Sequence, residues 1–360
     1  MTTPPVSFGI VGSGWRAEFF VRLAALMPER LTLVGGVVRR PESAELVLRR
    51  WHVPAYLSVG DLLARQSPDF VVTSVPWPVN PEVITELVDA GVRVLAETPP
   101  APDEAGLHAL WQRVGARRMV QVAEQYLLMP GHAARREIVG RGLIGRPTSV
   151  QVSSTHGYHA VSMIRGLLGV GFEPARVSAS RFVAPLVDPL TRHGWTDDET
   201  AKDAATTLAT LDFGGAAGLY DFTDNQWHNR LRLRRIVIRG SHGEIADDTV
   251  VRWARPRTVL RSEIVRSQLG HDLNLDGHDT EHLAFEGSVV YRNPFLGLRL
   301  MDEEIAIGTI LTATAAWSRD EGPEPYPLDQ ACQDHLIALA IDRAAESGAP
   351  VVTEPGPWAY

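Results

Sequence analysis

The stretch VSFGIVGSGWRAEFF, residues 6–20, decides the fold of the first part of the chain. An apolar run enters a glycine-rich turn and a helical pattern follows at once, as in the first strand, turn and helix of a dinucleotide-binding domain. In Gly12-x-Gly14-x-x-Ala17 the first glycine allows a tight turn, the second lets the backbone approach a pyrophosphate, and the alanine permits close helix–strand packing. The residues expected to bind the dinucleotide at this turn are Gly12, Ser13, Gly14, Trp15 and Arg16.

Short apolar runs alternate with helical patterns up to residue 125. Strands that are apolar throughout, alternating with helices, are typical of a parallel sheet covered on both faces. We therefore expect residues 1–125 to form an α/β Rossmann dinucleotide-binding domain. The expected strands are 6–14, 31–39, 69–75, 92–97 and 118–124, and the expected helices are 17–27, 41–51, 81–91 and 103–115.

The pattern changes after residue 126, where alternating polar and apolar segments such as 148–156 and 206–213 are separated by glycine turns. Period-two alternation predicts a mainly antiparallel sheet with one polar, open face. We expect residues 126–360 to form an α+β domain with a mainly antiparallel open sheet. The final helical pattern, from about residue 329, can pack back on the first domain.

Composition limits the class of protein. The net charge of −8 argues against nucleic-acid binding, which needs a concentrated basic face. No apolar run approaches membrane-spanning length, and the N-terminus lacks the pattern of a signal peptide, so we expect no membrane contact and a cytoplasmic location. Cys332 is the single cysteine, which excludes an intrachain disulfide and a thiolate metal cluster.

The end of the second expected strand indicates which cofactor is bound. An acidic residue there holds the ribose of NAD, whereas an arginine accommodates the extra phosphate of NADP. The sequence reads VVRRPE, with Arg39 and Arg40 in place of a carboxylate. Because guanidinium groups suit a phosphate, the sequence favours NADP over NAD. The alternative is that both arginines are solvated surface residues.

A metal site is suggested by HDLNLDGHDTEH, residues 271–282, which begins like a calcium loop. The glutamate required at loop position 12 is replaced by Leu283. His278 and His282 have helical spacing, but a zinc site would need a helix there and a third ligand. We therefore expect no metal.

With these motifs in place, the chain resembles the Gfo/Idh/MocA oxidoreductase family. The resemblance rests on the glycine turn, SVP at 74–76, AETPP at 96–100, GLIG at 142–145 and YHAVSMIRGLLG at 158–169. It implies a nicotinamide cofactor in the first domain and a sugar, cyclitol or similar polyol against the open face of the second sheet. It also implies a homo-oligomer that forms through that sheet.

The same resemblance assigns residues to roles and exposes two departures. In the family, a lysine commonly assists the reaction, and its position corresponds to Thr98 in this sequence. The position of the family aspartate corresponds to Thr155, whereas the family histidine is present as His159. Threonine donates a hydrogen bond but neither titrates near neutral pH nor carries positive charge. The residues expected to line the cofactor beyond the glycine turn are Pro76, Trp77, Asn80 and Glu97.

Other side chains are candidates to replace the two missing ionisable groups. Histidine is the natural base at physiological pH, and His156 or Tyr158 would relay the proton of His159. Glu124 and Tyr126 follow the fifth expected strand, at the sheet edge where ligands of such domains bind. Each of these residues has a plain alternative, in which it belongs to a packing or hydrogen-bond cluster.

The sequence therefore predicts a nicotinamide-dependent oxidoreductase acting on a sugar or sugar-like polyol, with His159 as the acid–base and Thr98 beside it. A redox-neutral variant, NAD-dependent glycosidase or lyase chemistry, remains open, because the extra histidine and tyrosine suit its additional proton transfers. A third possibility is a regulatory protein that binds the cofactor without catalysis.

Overall fold

The computed structural model describes residues 4–191, 193–272 and 274–359. The described chain divides into two compact units, each treated separately below. The helices are α1 (Trp15–Leu26), α2 (Pro41–Trp51), α3 (Val59–Arg65), α4 (Asn80–Asp89), α5 (Glu104–Val114), α6 (Pro130–Gly140), α7 (Gly157–Leu168), α8 (Asp302–Ser318) and α9 (Leu328–Ser347), with short 3-10 turns at Gly115–Arg117 and Tyr126–Leu128.

The first unit comprises residues 1–129, 294–332 and 356–360. Within its described residues, six parallel strands form a sheet of order β3-β2-β1-β4-β5-β6. This order, with helices between the strands, is the Rossmann arrangement expected for the first domain. The strands are β1 (Val6–Val11), β2 (Leu31–Val37), β3 (Ala55–Tyr56), β4 (Phe70–Thr73), β5 (Arg93–Ala96) and β6 (Val120–Val122).

The centre of this sheet is apolar because both of its faces are covered. Phe8 and Phe70 are fully buried, and their rings stack at 5.4 Å between centroids. Helix α1 contributes Ala17, Phe20 and Leu23, all fully buried. The same residues that made the sequence pattern apolar thus hold the helix against the strand that precedes it.

Three helices or strands of this unit were not predicted, namely α8 and the two short elements β3 and α3. Strand β3 has two residues and α3 has seven, so neither is long enough to establish a period in the sequence. The helix did carry a start signal, since the Ser58 side chain accepts a hydrogen bond from the Asp61 backbone at 3.0 Å.

The second unit comprises residues 130–293 and 333–355. The single boundary expected at residue 125 needs correction, because the chain returns to the first unit at residue 294 and again at residue 356. Helix α8 and the first turn of α9 therefore belong to the first unit. An apolar helix pattern does not state which of two cores it serves, so the sequence could not divide this region.

The sheet of the second unit is mainly antiparallel, as expected. Among the described residues its eleven strands follow the order β18-β17-β16-β15-β14-β13-β7-β12-β11-β8-β19, and β7 and β12 run parallel. A separate hairpin comprises β9 (Leu190–Thr191) and β10 (Gly194–Trp195). The strands of the large sheet are β7 (Pro147–Ser153), β8 (Arg176–Leu186), β11 (Lys202–Asp212), β12 (Ala217–Thr223), β13 (Arg235–Gly240), β14 (Gly243–Ala246), β15 (Thr249–Arg255), β16 (Thr258–Leu269), β17 (Asp279–Phe285), β18 (Ser288–Arg292) and β19 (Val351–Val352).

Helices α7 and α9 pack on one face of this sheet. A Cβ added at Gly218 of β12 would lie 2.7 Å from Ile164 of α7, and Arg181 of β8 donates a hydrogen bond to Asp342 of α9. The opposite face is open and carries exposed apolar side chains; they are Phe182, Leu208, Val251, Trp253, Val259 and Val265. No helix in the described residues is long and apolar enough to cross a membrane.

Candidate active site

The glycine turn after β1 has the geometry that a dinucleotide requires. Gly12 has φ +108°, and a Cβ at this position would lie 2.0 Å from the Ser74 carbonyl oxygen, so no other residue fits without movement. Gly14 precedes α1, and a Cβ added to it would meet no described atom within 4 Å. Among the described residues no side chain caps α1 at Gly14. The open backbone at the N-terminus of the helix fits a pyrophosphate.

Arg16 lies beside this turn but is held by carboxylates. Its Nη1 donates to Glu303 of α8 at 2.7 Å, and its Nε lies 3.7 Å from a Glu97 carboxylate oxygen. Burial acts to lower the pKa of Arg16, but the Glu97 and Glu303 carboxylates outweigh it and raise the pKa. The guanidinium also lies over the Trp15 ring, 4.7 Å from its centroid. Arg16 therefore fixes the turn to Glu97 and to α8.

Asn80 ties together the ends of β4 and β5. Its Oδ1 accepts a hydrogen bond from the Thr73 hydroxyl at 2.6 Å, and its Nδ2 donates to the Glu97 carbonyl oxygen at 3.2 Å. The side chain is 1% exposed. Both ends of the amide are thus engaged within the protein, so Asn80 supports the cofactor edge from behind. Pro76 and Trp77, predicted alongside it, are exposed at the same edge.

The segment after β5 places Glu97 and Thr98 at the carboxyl edge of the sheet. Glu97 Oε2 accepts a hydrogen bond from the Thr98 backbone N–H at 3.2 Å, and the Thr98–Pro99 peptide bond is cis. Both side chains are half-buried. The hydroxyl of Thr98 is available as a donor but supplies no positive charge at this edge.

The residues after β6 form a second polar group at the same edge. Glu124 is 3% exposed, and one of its carboxylate oxygens accepts a hydrogen bond from the Tyr126 backbone N–H at 3.0 Å. Gln125 is equally buried, and its Nε2 has no hydrogen-bond partner among residues 4–191, 193–272 and 274–359. A buried donor without a partner costs about 1–3 kcal/mol, which a ligand or water at this position would offset.

The end of β2 carries the residues from which the sequence predicted a preference for NADP. Val38 is buried, whereas Arg39 and Arg40 are exposed. Arg40 is the residue before α2, whose first helical position is Pro41. Both guanidinium groups are therefore free of packing constraints and open to an anion in solvent.

The acid–base candidates of the second unit lie at the N-terminus of α7. Tyr158 and His159 are 5% and 6% exposed, and their rings meet edge-on with centroids 5.4 Å apart. His156, the residue before the helix, meets His159 in the same way at 5.3 Å. The three predicted residues are thus brought together as one cluster of rings. Behind them, the Tyr220 hydroxyl accepts a hydrogen bond from the Gly157 backbone at 3.1 Å, and burial raises the pKa of Tyr220 to about 12.

Thr155 lies at the end of β7 just before this cluster and is fully buried. Its hydroxyl finds no hydrogen-bond partner in the part of the chain that the structure describes. An aspartate here would bring a charge into a fully buried position, which is unfavourable without a partner. The threonine supplies a neutral donor in its place.

The position expected for the substrate needs correction. His159 lies on the face of the second sheet that α7 covers, since His156 packs against Phe222 at 6.0 Å on that face. The open face, which has a cavity of about 310 Å³ beside Phe182 and Arg235, lies on the other side. A polyol on the open face would be separated from His159 by the sheet, so the two expectations are incompatible.

The loop at 271–282 does not provide the elements of a metal site. His282 lies in β17 rather than in a helix, so four residues of extended chain, about 13 Å, separate it from His278 where a helix would bring the two side chains together on adjacent turns. Among the residues whose placement the structure describes, no group of three or more His, Cys, Asp or Glu side chains could hold a metal ion.

Sequence reasoning missed the contributions of two late helices. Glu303 of α8 binds Arg16, and Asp334 of α9 accepts a hydrogen bond from the buried Arg165 of α7. Next to Asp334, His335 contacts the Tyr158 ring at 6.1 Å between centroids. The signal was present as polar residues, QDH at 333–335, within an otherwise apolar helix pattern.

Comparison with known proteins gives three levels of likeness. Residues 6–124 match the family model described as "Oxidoreductase family, NAD-binding Rossmann fold". An uncharacterized oxidoreductase of Schizosaccharomyces pombe is 25% identical over 145 residues, a match that spans only 39% of this chain and 39% of that protein.

Solved structures match over nearly the whole chain. The WlbA dehydrogenase from Chromobacterium violaceum, in complex with NADH and UDP-GlcNAcA, is 16% identical with a TM-score of 0.64, covering 98% of this chain and 97% of that one. A levoglucosan dehydrogenase in complex with NADH and levoglucosan is 18% identical with a TM-score of 0.67, covering 97% and 99%. At these identities the likeness establishes the two-part fold.

Proposed function

Because residues 6–124 carry the NAD-binding Rossmann fold of the Gfo/Idh/MocA oxidoreductases, we propose that this protein is a nicotinamide-dependent oxidoreductase acting on a sugar or sugar-like polyol, with His159 as acid–base. The observation that carries the proposal is the ring cluster of His156, Tyr158 and His159, in which Tyr158 and His159 are buried and His156 is exposed. Structural relatives bound to levoglucosan or to a nucleotide sugar with NADH support this substrate class.

The cofactor supplies a carbon that accepts or gives a hydride. In the oxidation direction the substrate loses hydride from its carbinol carbon and a proton from its hydroxyl, and His159 takes that proton. Tyr158 and His156 contact the His159 ring edge-on and are the proposed relay for that proton. Thr155 donates a neutral hydrogen bond where the family aspartate would carry charge. His159 is therefore the proposed acid–base of the cluster.

The proposal is tested by absorbance of the purified protein with NADPH or NADH and a panel of sugars, polyols and their ketone forms. Turnover of nicotinamide with one compound class supports the proposal. Absence of cofactor binding would overturn it. Binding of the cofactor without turnover of any compound would favour the regulatory alternative, in which the fold is kept and catalysis is lost.

We further propose that NADP is the preferred cofactor, because Arg39 and Arg40 are exposed where a carboxylate would select NAD. Each guanidinium group offers a bidentate fork to the 2′-phosphate. Replacing both arginines with alanine is expected to weaken NADPH binding about tenfold or more and to leave NADH binding unchanged. Fluorescence titration with the two cofactors measures this, and equal losses for both would contradict the preference.

A redox-neutral reaction is the second candidate, favoured by the presence of several proton-carrying rings in one cluster. In such a reaction the hydride that leaves a ring hydroxyl carbon returns to the sugar after elimination at the neighbouring carbon. The cofactor would then cycle without net accumulation of its reduced form. Product formation from a glycoside with no lasting change in nicotinamide absorbance would favour this scheme.

A partner is proposed for the open face of the second sheet. Trp253 and Val259 pair across β15 and β16 and are about half exposed or more on this face, and Phe182 is half exposed on β8. Exposed apolar surface of this kind often marks a site of association with another protein. We propose that a second copy of the chain covers it, as the family resemblance implies. Sedimentation of the wild type and of a Phe182→Glu, Val259→Glu variant tests this, and a monomeric wild type would contradict it.

A further inference from the structure

The open face of the second unit contains a cavity of about 310 Å³ where β8, β11 and β12 lie side by side. Small side chains form its floor, because Ala184 lies opposite Ala204 and Thr206 lies opposite Thr223 in the register of these strands. This volume is at the lower end of the range, about 300–1,000 Å³, that is usual for small-molecule sites. His159 lies on the other face of the sheet, so a ligand in this cavity would not take part in the proposed reaction.

The loop between β12 and β13 forms one wall of the cavity and is held in place by Gln226. Gln226 is buried, and its Oε1 accepts a hydrogen bond from the Thr223 backbone N–H at 2.9 Å. Its Nε2 donates to the carbonyl oxygens of Leu233, at 2.8 Å, and of Ser153, at 2.9 Å. The wall is therefore fixed both to β12 and to the end of β7, so a ligand would not have to order it on binding.

Two arginines line the cavity, and neither is tightly held. Arg235 Nη2 lies 3.4 Å from an Asp221 carboxylate oxygen, and about half of the Arg235 side chain is exposed. Arg232 donates to the carbonyl oxygen of the neighbouring Leu231 at 3.2 Å and pairs with no carboxylate in the part of the chain that the structure describes. Asp221 is the one carboxylate among the described residues that line the cavity. The lining thus carries one excess positive charge, in a protein whose net charge is −8.

The floor of the cavity also offers a hydrogen-bond donor. The hydroxyls of Thr206 and Thr223 lie 2.8 Å apart, and both residues are buried. Two hydroxyl groups carry two hydrogens, of which one lies between the two oxygens. Neither hydroxyl has another hydrogen-bond partner among residues 4–191, 193–272 and 274–359, so the second hydrogen is left to donate to a ligand or to water. A buried donor of this kind usually finds an acceptor.

We propose that this cavity binds a small organic anion. Arg232 and Arg235 hold its carboxylate or phosphate group, because a guanidinium fork matches either group with two parallel hydrogen bonds. The threonine pair of the floor donates to the same group. Phe182 and Leu233, both exposed where they line the cavity, contact the apolar body of the ligand. The site is on the opposite face of the sheet from the acid–base cluster, so the inference does not depend on the proposed function.

The test is calorimetric titration of the full chain with four probes: phenyl phosphate, benzoate, inorganic phosphate and benzamide. Phenyl phosphate or benzoate is expected to bind, and inorganic phosphate should bind more weakly than phenyl phosphate because it lacks the apolar body. Benzamide has the shape of benzoate without its charge and should bind at least about tenfold more weakly. Tighter binding of phenyl phosphate identifies a phosphate ligand, and tighter binding of benzoate identifies a carboxylate; either result supports the inference.

Three variants locate the binding in this cavity, which is necessary because the glycine turn of the first unit also fits a phosphate. Arg232→Ala and Arg235→Ala should each weaken binding of the anionic probe about tenfold. Ala204→Leu fills the floor without changing the charge and should abolish binding. Arg239→Ala is the matched control: Arg239 is exposed on the same face of β13 but pairs with Glu244 at 2.7 Å outside the cavity, and its loss should leave binding unchanged.

Failure of every anionic probe to bind the wild type would overturn the inference, and so would equal binding by the wild type, both arginine variants and Ala204→Leu. Binding that appears only after a Trp253→Glu, Val259→Glu variant has become monomeric would also overturn it, because a second copy would then fill the cavity. Circular dichroism checks the fold of each variant, and Ala204→Val replaces Ala204→Leu if the latter does not fold. The titrations need neither nicotinamide nor sugar, so their outcome is separate from that of the proposed reaction.

Discussion

The carboxyl edge of the first sheet and the N-terminus of α7 are built in different ways. The first is defined mainly by backbone, with Gly12 at φ +108° and the open turn at Gly14, and the side-chain amide of Asn80 supports it by linking two strand ends. The second is defined by side chains, with rings from α7 and α9 in contact. A backbone site demands glycine at fixed spacing, whereas a side-chain site can exchange its ionisable groups. Thr155, where the family that the sequence resembles has an aspartate, lies just before the second site and is consistent with that freedom.

The largest effect is expected at the backbone site. Gly12→Ala places a Cβ 2.0 Å from the Ser74 carbonyl oxygen and forces an alanine to φ +108°. Strain of this kind costs about 1–3 kcal/mol before the clash is counted. We expect a fall of at least that size in the free energy of unfolding, measured by urea denaturation, together with loss of cofactor binding.

Two glycines serve as controls for that change. Gly14→Ala meets no described atom within 4 Å, so it should leave stability nearly unchanged and weaken the cofactor alone. Gly60→Ala, in α3 with Ser58 Oγ at 3.8 Å, should leave cofactor binding unchanged and should not lower stability, because alanine favours a helix more than glycine does. Tight cofactor binding by Gly12→Ala would contradict the placement of the cofactor at this turn.

A smaller effect is expected at Asn80, whose side chain links the ends of β4 and β5. Asn80→Ala removes the hydrogen bonds to Thr73 and to the Glu97 carbonyl, so the turn that carries Glu97 loses its support. We expect a loss of about 1–3 kcal/mol in stability, since the Thr73 hydroxyl is left buried without that acceptor. Cofactor affinity, measured by fluorescence titration, should fall about tenfold.

The matched control on the same helix is Thr85→Val. It removes one buried hydrogen bond, from the Thr85 hydroxyl to the Pro81 carbonyl at 2.7 Å, without touching the cofactor edge. Stability should fall slightly and cofactor affinity should stay. If both variants weaken the cofactor equally, Asn80 acts through general stability rather than through the edge.

The smallest effect is expected at His132, a histidine outside the proposed catalytic cluster, and concerns the dependence of stability on pH. Burial, together with the positive charges of Arg135 and Arg234, lowers the pKa of His132 to about 3. Its ordinary value is about 6.5, so between pH 6.5 and 3 the unfolded chain binds more protons and stability falls as the pH falls. From pH 7 to 5.5 this contributes a loss of about 1 kcal/mol.

His132→Asn should remove that contribution while leaving the pH dependence of turnover unchanged. The asparagine oxygen can still accept from Arg135, whose Nη1 lies 3.2 Å from His132 Nδ1. Urea denaturation at pH 7 and pH 5.5 measures the difference, with His52→Asn as the exposed control. An identical loss on acidification in wild type and variant would place the acid sensitivity elsewhere.

The sequence predicted the elements that repeat and missed those that do not. The strand–turn–helix at 6–20 and the alternation after residue 126 were confirmed, because apolar periodicity follows directly from which face is buried. Helix α8 was not predicted at all, because its buried residues surround most of the helix and leave no amphipathic period. His335 was missed for a different reason: it contacts Tyr158 across 177 residues of chain (335 − 158), and no local pattern encodes such a pair.

The predicted site residues also divide into those whose arrangement the structure describes and those whose roles stay predictions. The glycine turn lies where the motif requires, and the rings of His156, Tyr158 and His159 are in contact. Glu124, Tyr126 and Thr98 lie at the carboxyl edge of the first sheet, but their geometry assigns none of them a chemical step. Their roles therefore stay predictions. Asn80 engages the protein at both ends of its amide, and its expected contact with the cofactor stays a prediction.

The central claim is that His159 is the acid–base of a nicotinamide-dependent reaction, and the most direct measurement compares wild type with His159→Asn. Hydride transfer to a sugar substrate is followed by nicotinamide absorbance, and NADPH affinity by fluorescence. We expect the rate to fall about 100-fold or more while the cofactor affinity stays within about twofold. A variant that turns over at the wild-type rate would contradict the claim.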